Sequence, residues 1–291
     1  MNRRQLLAAG AACLASSSAQ AERLPIRKAI LHSMLPKRLT HLERFQLAKE
    51  TGFEQVECHQ CNDPKEAEEI KLAADTAKLR IHSVMNGDHW NFPLSSDDPE
   101  VVERSMKGMR TSMANAHLWG ADTVLLVPAV VNPKTSYKDA WERSQRKIRE
   151  LIPLAEKLKV VIAVEEVWNK FLLSPLEFAH YVDDFKSPWV KAYFDVGNVV
   201  LYAFPQDWIR TLGSRIVKLH IKDFKFARNR ETGKWEAEFV NIRDGEINWK
   251  EVHKALAEIG YKWSATLEIR GGEKDHLLDI SKRFDLILEG A

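Results

Sequence analysis

Short apolar segments alternate with amphipathic helical segments eight times along this chain, and no other feature restricts its fold as strongly. Short runs rich in Val, Ile and Leu are typical of buried strands, and the segments between them repeat with the period of a helix. Eight such units without an internal linker predict one α/β domain, a closed (β/α)8 TIM barrel. The predicted strands are Arg27–Leu31, Phe53–Cys58, Arg80–Val84, Thr123–Val127, Val160–Val164, Val190–Phe194, Ile216–Ile221 and Ser264–Ile269. The predicted helices are Lys37–Glu50, Pro64–Lys78, Pro99–Trp119, Ser136–Leu158, Pro175–Phe185, Gln206–Leu212, Ile247–Ile259 and Glu273–Leu288.

A β-hairpin is predicted where the alternation is interrupted, between Lys225 and Asn248. Lys225–Ala227 and Glu236–Val240 each alternate in polarity, and Glu231-Thr232-Gly233-Lys234 between them is a turn sequence. Because this insertion follows the seventh strand, we expect it at the end of the barrel where active sites form.

The first 21 residues have the composition of an export signal rather than of a barrel element. Arg3 and Arg4 precede an Ala-rich apolar run, which ends at the small-x-small sequence Ala19-Gln20-Ala21. This pattern predicts a twin-arginine signal over 1–21, a barrel over 22–291 and a periplasmic location. A first helix of the fold is the alternative, and the lack of any acidic residue before Glu22 disfavours it. The run is too short and too weakly apolar to be a membrane anchor, so no membrane association is expected after its removal.

The charge balance disfavours nucleic acid as a partner. The chain has 43 Lys and Arg against 41 Asp and Glu, and the predicted signal contributes only Arg3 and Arg4 to this count. The remaining chain is therefore formally neutral, without the excess of positive charge that a phosphate backbone attracts.

Two cysteines, Cys58 and Cys61, follow the predicted signal in a CxxC arrangement. They would be free to pair in an oxidising compartment, and a single CxxC is also a weak zinc or redox motif. A structural or incidental role is the favoured interpretation.

Acidic and histidine side chains occur where the last four predicted strands end. Glu165 and Glu166 follow the fifth strand and Asp195 the sixth, while His220 and Glu268 lie near the ends of the seventh and eighth. The carboxyl ends of parallel barrel strands meet at one face, so these side chains are expected to converge. Three carboxylates together are costly without a cation. Oxygen ligands with one imidazole suit Mn²⁺ or Mg²⁺, and Co²⁺ or Zn²⁺ would also bind.

The segments around these residues are VEEVWNKF at 164–171, YFDVGN at 193–198, HIKD at 220–223 and TLE at 266–268. They resemble the sugar phosphate isomerase/epimerase family, the xylose-isomerase-like barrels that include the ketose 3-epimerases and endonuclease IV. The resemblance covers essentially the whole chain after the predicted signal. It implies one divalent metal ion held by four ligands: Glu165, Asp195, His220 and Glu268.

The same resemblance implies that Glu165 and Glu268 are also catalytic and move a proton on opposite faces of a carbon beside a carbonyl. Two positions depart from the family pattern. Glu166 stands where relatives usually have Asn, and Asn198 stands where many ketose epimerases have a substrate-binding His. The further candidates for substrate binding or for support of the ligands are Glu57, His82, Trp90, Asn169, Asn198, Lys222 and Asp223.

The resemblance implies a metal-dependent sugar or keto-sugar epimerase or isomerase, with a small sugar as its partner and a homo-oligomer left open. One alternative is a lyase or hydratase acting on oxidised keto-glycosides. A second is an abasic-site endonuclease, which the neutral chain and the predicted export disfavour. A third is a sugar-binding barrel without catalysis, which the presence of Glu165 and Glu268 disfavours. The predicted location favours an unphosphorylated sugar, whereas Arg270-Gly271-Gly272 after the last strand is the feature that favours a phosphate.

Overall fold

Eight parallel strands close into a barrel, and eight helices surround it in the part of the chain that the computed structural model describes, residues 22–228 and 231–291. The predicted export signal lies outside the described residues. The barrel strands are β1 (Arg27–Leu31), β2 (Gln55–His59), β3 (Arg80–Met85), β4 (Thr123–Leu126), β5 (Val161–Glu165), β6 (Val190–Asp195), β7 (Ile216–Ile221) and β10 (Ser264–Leu267). Two further strands, β8 (Asp223–Arg228) and β9 (Trp235–Val240), form a separate sheet. The helices are α1 (His41–Glu50), α2 (Pro64–Ala77), α3 (Pro99–Trp119), α4 (Tyr137–Leu158), α5 (Pro175–Asp183), α6 (Pro205–Leu212), α7 (Trp249–Glu258) and α8 (Lys274–Leu288).

The barrel confirms the predicted fold class, with β1 closing the ring between β2 and β10. None of the described helices is both long and apolar enough to cross a bilayer. Cys58 and Cys61 are separate, buried thiols rather than a disulfide.

Several predicted boundaries differ from the structure by a few residues, and two of these differences have a clear local reason. Helix α1 begins at His41 instead of Lys37, because Thr40 forms a capping box with Glu43. Strand β2 begins at Gln55, because the amide of Phe53 still bonds the carbonyl of Ala48 at the end of α1. The N-cap of α3 is Asp98, and its carboxylate accepts a hydrogen bond from the amide of Glu100.

The barrel interior is polar near the carboxyl ends of the strands. The hydroxyl of Tyr193 donates a hydrogen bond of 2.7 Å to Oε2 of Glu57, and Nε2 of His82 lies 2.9 Å from the hydroxyl of Thr266. Each of these bonds joins strands that are not neighbours in the barrel, so the side chains meet inside it. We call this group, together with His220, the lumen network. The main hydrophobic core instead packs between the strands and the surrounding helices.

Strands β8 and β9 form the antiparallel hairpin predicted after the seventh strand. Asp223 fixes its base, because one carboxylate accepts hydrogen bonds from the amides of Arg243 and Gly245 and from the indole of Trp249. Gly245 fits closely here, since a Cβ at that position would lie 2.1 Å from Oδ1 of Asp223. The hairpin is thus tied to the barrel at its root.

Candidate active site

The side chains at the ends of β5, β6, β7 and β10 converge at one end of the barrel. Each offers one ligand atom, and these atoms lie within 4.8 Å of one another. The strand register explains the convergence, because Asp195 pairs with His220 and His220 pairs with Thr266, two residues before Glu268. We call this group the strand-end cluster. Its members are Glu165, Asp195, His220 and Glu268.

Glu165, and not its neighbour Glu166, faces the strand-end cluster. Successive side chains of a strand point in opposite directions, so only one of two adjacent glutamates can do so. The Oε1 atom of Glu166 instead accepts a hydrogen bond of 3.0 Å from the amide of Asp195. Burial, with the charges of Asp195 and Glu165, raises the pKa of Glu166 well above its usual value. Glu166 therefore supports the chain behind the cluster, and its burial favours the protonated form of the carboxyl.

His220 lies at the centre of the carboxylates. Its Nδ1 is 2.8 Å from Oε1 of Glu165 and 3.1 Å from Oε2 of Glu268, while its Nε2 is 3.0 Å from Oε2 of Glu57. Burial alone would lower the pKa of His220, but the surrounding carboxylates raise it well above its usual value. Glu57 accepts the proton on Nε2 and so fixes the orientation of the imidazole ring. Nδ1 is then the nitrogen that faces the cluster.

Lys222 is the second cation of the site. Its ammonium lies 2.7 Å from Oδ2 of Asp195 and 2.8 Å from Oε2 of Glu268. Burial opposes the charge, yet Asp195 and Glu268 raise the pKa of Lys222 above its usual value. His220 and Lys222 together offset much of the negative charge of the carboxylates.

The two outer carboxyls of the cluster differ in their ionisation. Burial raises the pKa of Glu165 to about 7, although the charge of His220 opposes this change. Burial also disfavours the ionised form of Glu268, but His220 and Lys222 more than compensate and lower its pKa. Carboxyls whose pKa values are driven apart in this way are typical of acid–base pairs.

The strand-end cluster can hold a metal ion. In the described part of the chain, Oδ2 of Asp195 is buried and receives no hydrogen bond, although the charge of Lys222 lies beside it. Three carboxylates this close repel one another without a cation. Oxygen ligands with one imidazole therefore fit a divalent ion at this place.

A cavity of about 170 Å³ opens beside the cluster. Glu165 and Glu268 form part of its wall, together with three of the further candidates from the sequence, Trp90, Asn198 and Lys222. Six more residues line it that sequence reasoning did not single out: Met85, His89, Leu125, Val167, Trp168 and Phe239.

The other four candidates lie behind the wall. Glu57 and His82 are fully buried in the lumen network. The side-chain amide of Asn169 donates a hydrogen bond to the backbone carbonyl of Ala129. Asp223 fixes the base of the hairpin. Each of these four side chains forms hydrogen bonds to other protein groups, which indicates that it positions other parts of the site.

Fold and site together define a TIM barrel with a carboxylate–imidazole cluster at the carboxyl ends of its strands. Residues 45–285 match the xylose isomerase-like TIM barrel family, and the chain belongs to that family.

Among curated proteins the chain is similar to L-ribulose-5-phosphate 3-epimerase UlaE of Escherichia coli O157:H7 (strain EC4115 / EHEC). The two are 27% identical over 264 residues, which cover 82% of this chain and 88% of that one. Among solved structures, a D-tagatose 3-epimerase-like protein superposes with a TM-score of 0.77 at 17% identity, covering 91% of this chain and 97% of that one. A xylose isomerase-like TIM barrel protein of Mycobacterium smegmatis in complex with magnesium gives a TM-score of 0.69 at 17% identity, covering 92% and 96%.

Proposed function

We propose that this protein is a divalent-metal-dependent epimerase of a sugar or keto-sugar. The observation that carries the proposal is that Glu165 and Glu268 belong to a possible metal site and also line a cavity. The similarity to a curated sugar epimerase along most of both chains supports the reaction class.

Epimerisation needs one group to remove a proton from carbon and another to return a proton to the opposite face. In the proposed reaction Glu268 accepts the proton at a carboxylate oxygen. Glu165 returns a proton from its carboxyl to the opposite face. The two roles are exchanged in the reverse direction.

The proposed metal ligands are the four members of the strand-end cluster, and their chemistry favours Mn²⁺ or Mg²⁺ over Co²⁺ or Zn²⁺. When bound beside a carbonyl, a divalent ion makes the neighbouring C–H more acidic. Glu57 supports this assignment, because a carboxylate on Nε2 would hold a proton at that nitrogen and leave Nδ1 of His220 as the ligand once a metal ion displaces its proton.

The proposed substrate is an unphosphorylated sugar unit. Of the lysines and arginines in the described ranges, Lys222 is the one on the cavity wall, and its charge is already engaged by Asp195 and Glu268. Arg270 does not line the cavity. The proposed export by the signal over 1–21 is consistent with such a substrate, since it places the protein outside the cytoplasm.

Deuterium incorporation tests the proposal directly. Protein loaded with Mn²⁺ is incubated in D₂O with pools of free ketoses and keto-glycosides, alongside a sample treated with EDTA. We expect metal-dependent uptake of deuterium at a carbon beside the carbonyl, observed by NMR, together with a second epimer. Elimination of a substituent instead would identify a lyase, and the absence of exchange in every pool would reject the proposal.

A further inference from the structure

Trp168 and Phe239 form an exposed aromatic surface at the rim of the cavity, which we call the aromatic shelf. We propose that the shelf binds the second ring of an uncharged glycoside whose reacting sugar unit occupies the cavity. The inference rests on the proposed function for the reacting unit, but it concerns the part of the ligand that does not react. The ring is recognised by its apolar face, which a second sugar and an aromatic aglycone both offer.

The shelf is held in place by the protein itself. The two ring centroids are 5.2 Å apart with an interplanar angle of 17°, so the rings stack. The indole of Trp168 donates a hydrogen bond of 2.8 Å to the carbonyl of Asn198. The buried ring of Phe224 packs edge-on against both members, at 5.4 Å from Trp168 and 5.1 Å from Phe239. A surface fixed in this way loses little side-chain entropy when a ligand binds.

The shelf remains exposed although its members are large and apolar. Trp168 is 47% exposed and Phe239 is 46% exposed, and both line the cavity beside Glu165 and Glu268. Contiguous apolar surface next to a polar pocket is typical of a ligand-binding groove. Trp90 is another half-exposed aromatic residue of the cavity wall.

The size of the cavity explains why a second ring would lie on the rim. Its volume of about 170 Å³ is below the roughly 300 Å³ at which sites for drug-sized ligands begin. It therefore has room for a single sugar unit, and a larger ligand must continue outward. The half-exposed indole of Trp168 offers an apolar surface on the cavity wall at that point.

The charges around the shelf favour an uncharged extension over a phosphate. Lys222, the sole lysine or arginine that lines the cavity within residues 22–228 and 231–291, has its ammonium 5.2 Å from the centroid of Phe239. That ammonium is already paired with Asp195 and Glu268. A phosphate here would have to compete with two carboxylates for one cation.

The test measures binding of unreactive probes to the Mn²⁺-loaded protein by calorimetry. The probes are methyl and phenyl β-D-glucoside, methyl and phenyl β-D-xyloside, cellobiose, and glucose 6-phosphate. We expect a phenyl glycoside or cellobiose to bind at least fivefold more tightly than the matching methyl glycoside, as expected for one stacked ring. The phenyl and cellobiose arms distinguish an aromatic aglycone from a second sugar.

Trp168→Ala should abolish this advantage, and Trp168→Phe should retain part of it. Trp235→Ala is the matched control, because Trp235 is likewise an exposed tryptophan stacked on a phenylalanine, Phe226, but it does not line the cavity. Equal affinities for methyl and two-ring probes, no binding by any probe, an equal loss in Trp235→Ala, or tightest binding of glucose 6-phosphate would each overturn the inference.

These outcomes can be separated from the fate of the proposed reaction. The probes carry no free ketone and bind without turnover. A two-ring advantage that depends on Trp168, without any deuterium exchange, would retain the shelf and reject the epimerase. Deuterium exchange with no role for Trp168 would retain the epimerase and reject the shelf.

Discussion

The ammonium of Lys222 and the carboxylate of Asp195 lie 2.7 Å apart, in the middle of a group of buried acids. The same ammonium is 2.8 Å from Glu268, so one lysine bridges two members of the strand-end cluster. Lys222 therefore supplies the site with a positive charge of its own when no metal ion is bound.

We expect Lys222→Met to destabilise the metal-free protein by roughly 3 kcal/mol, because it leaves buried carboxylates without their counter-ion. The same variant should bind Mn²⁺ about tenfold more tightly, since the metal no longer competes with an ammonium. Thermal unfolding with EDTA and with increasing Mn²⁺ measures both effects. Lys225→Met, at an exposed lysine of β8, is the control and should change neither quantity. Equal stability of the two metal-free variants would contradict this prediction.

Glu57→Gln should weaken Mn²⁺ binding by about 10- to 100-fold, the range found when a carboxylate behind a metal-binding histidine is lost. The physical reason is that glutamine no longer fixes the proton of His220 on Nε2, the nitrogen 3.0 Å from Glu57. Competition with a chelator measures the affinity. Tyr193→Phe removes the other short hydrogen bond to Glu57 and should have a smaller effect. An unchanged affinity in Glu57→Gln would show that His220 does not depend on this carboxylate.

Glu165→Gln and Glu268→Gln should each slow deuterium exchange at least about 100-fold while metal is still bound, in line with the loss of a general acid or base. Glu166→Gln is a matched control, because Glu166 is adjacent, buried and turned away from the cluster. It should retain activity within a few-fold. Normal exchange in both of the first two variants, with metal content verified, would rule out the proposed proton transfers.

Asp223→Ala should loosen the base of the hairpin, because it leaves the amides of Arg243 and Gly245 and the indole of Trp249 without their acceptor. Each unsatisfied buried donor costs about 1–3 kcal/mol. We expect faster amide hydrogen exchange across 241–249 and a raised KM, with a smaller change in kcat. Gly245→Ala should give the same pattern, since the added Cβ meets the Asp223 carboxylate. Unaltered exchange across 241–249 in both variants would contradict this role.

The free energy of unfolding at acidic pH should depend on His89. Burial lowers the pKa of His89 to about 4, and its Nδ1 accepts a hydrogen bond from the amide of Val127. In the unfolded chain its pKa returns to about 6.5, so the unfolded state binds more protons between pH 6.5 and 4. The contribution of neutral His89 to the free energy of unfolding is therefore complete above pH 6.5 and decreases by about 3 kcal/mol toward pH 4.

His89→Gln removes this titration and keeps an acceptor for Val127. Urea unfolding of metal-free protein between pH 7 and 4.5 should show a shallower loss of stability in this variant. His117→Gln, at an exposed histidine of α3, should follow the wild type. Parallel pH profiles for all three proteins would reject the assignment.

The barrel was predictable because a parallel strand and its covering helix leave strong periodic signals in a sequence. The strand-end cluster was predictable for a related reason: side chains far apart in the chain become neighbours once strands are parallel and in series. The strand pattern alone did not decide between Glu165 and Glu166, because a shift of one residue at the end of a strand reverses the direction of the side chain. The family resemblance favoured Glu165, and the structure places the Glu165 side chain in the cluster.

The surroundings of the site were less accessible to sequence reasoning. Trp168 and Phe239 are distant in the chain and meet only because the hairpin folds back over the barrel. Their signals were an aromatic residue close after Glu165 and an apolar position in an alternating strand. Glu57 was assigned to the substrate group on its position near the end of a strand, whereas its contacts to His220 and Tyr193 depend on packing across the barrel.

The strand-end cluster and the hairpin differ in how freely their residues can change during evolution, because the lumen network supports only the cluster. The members of this network support the strand-end cluster and also fill the barrel, so a substitution there alters folding and chemistry together. The hairpin is anchored at its base through Asp223, and its outer residues can vary with little effect on the barrel. New ligand preferences can therefore arise by replacing the hairpin alone, while the strand-end cluster beneath it is inherited intact.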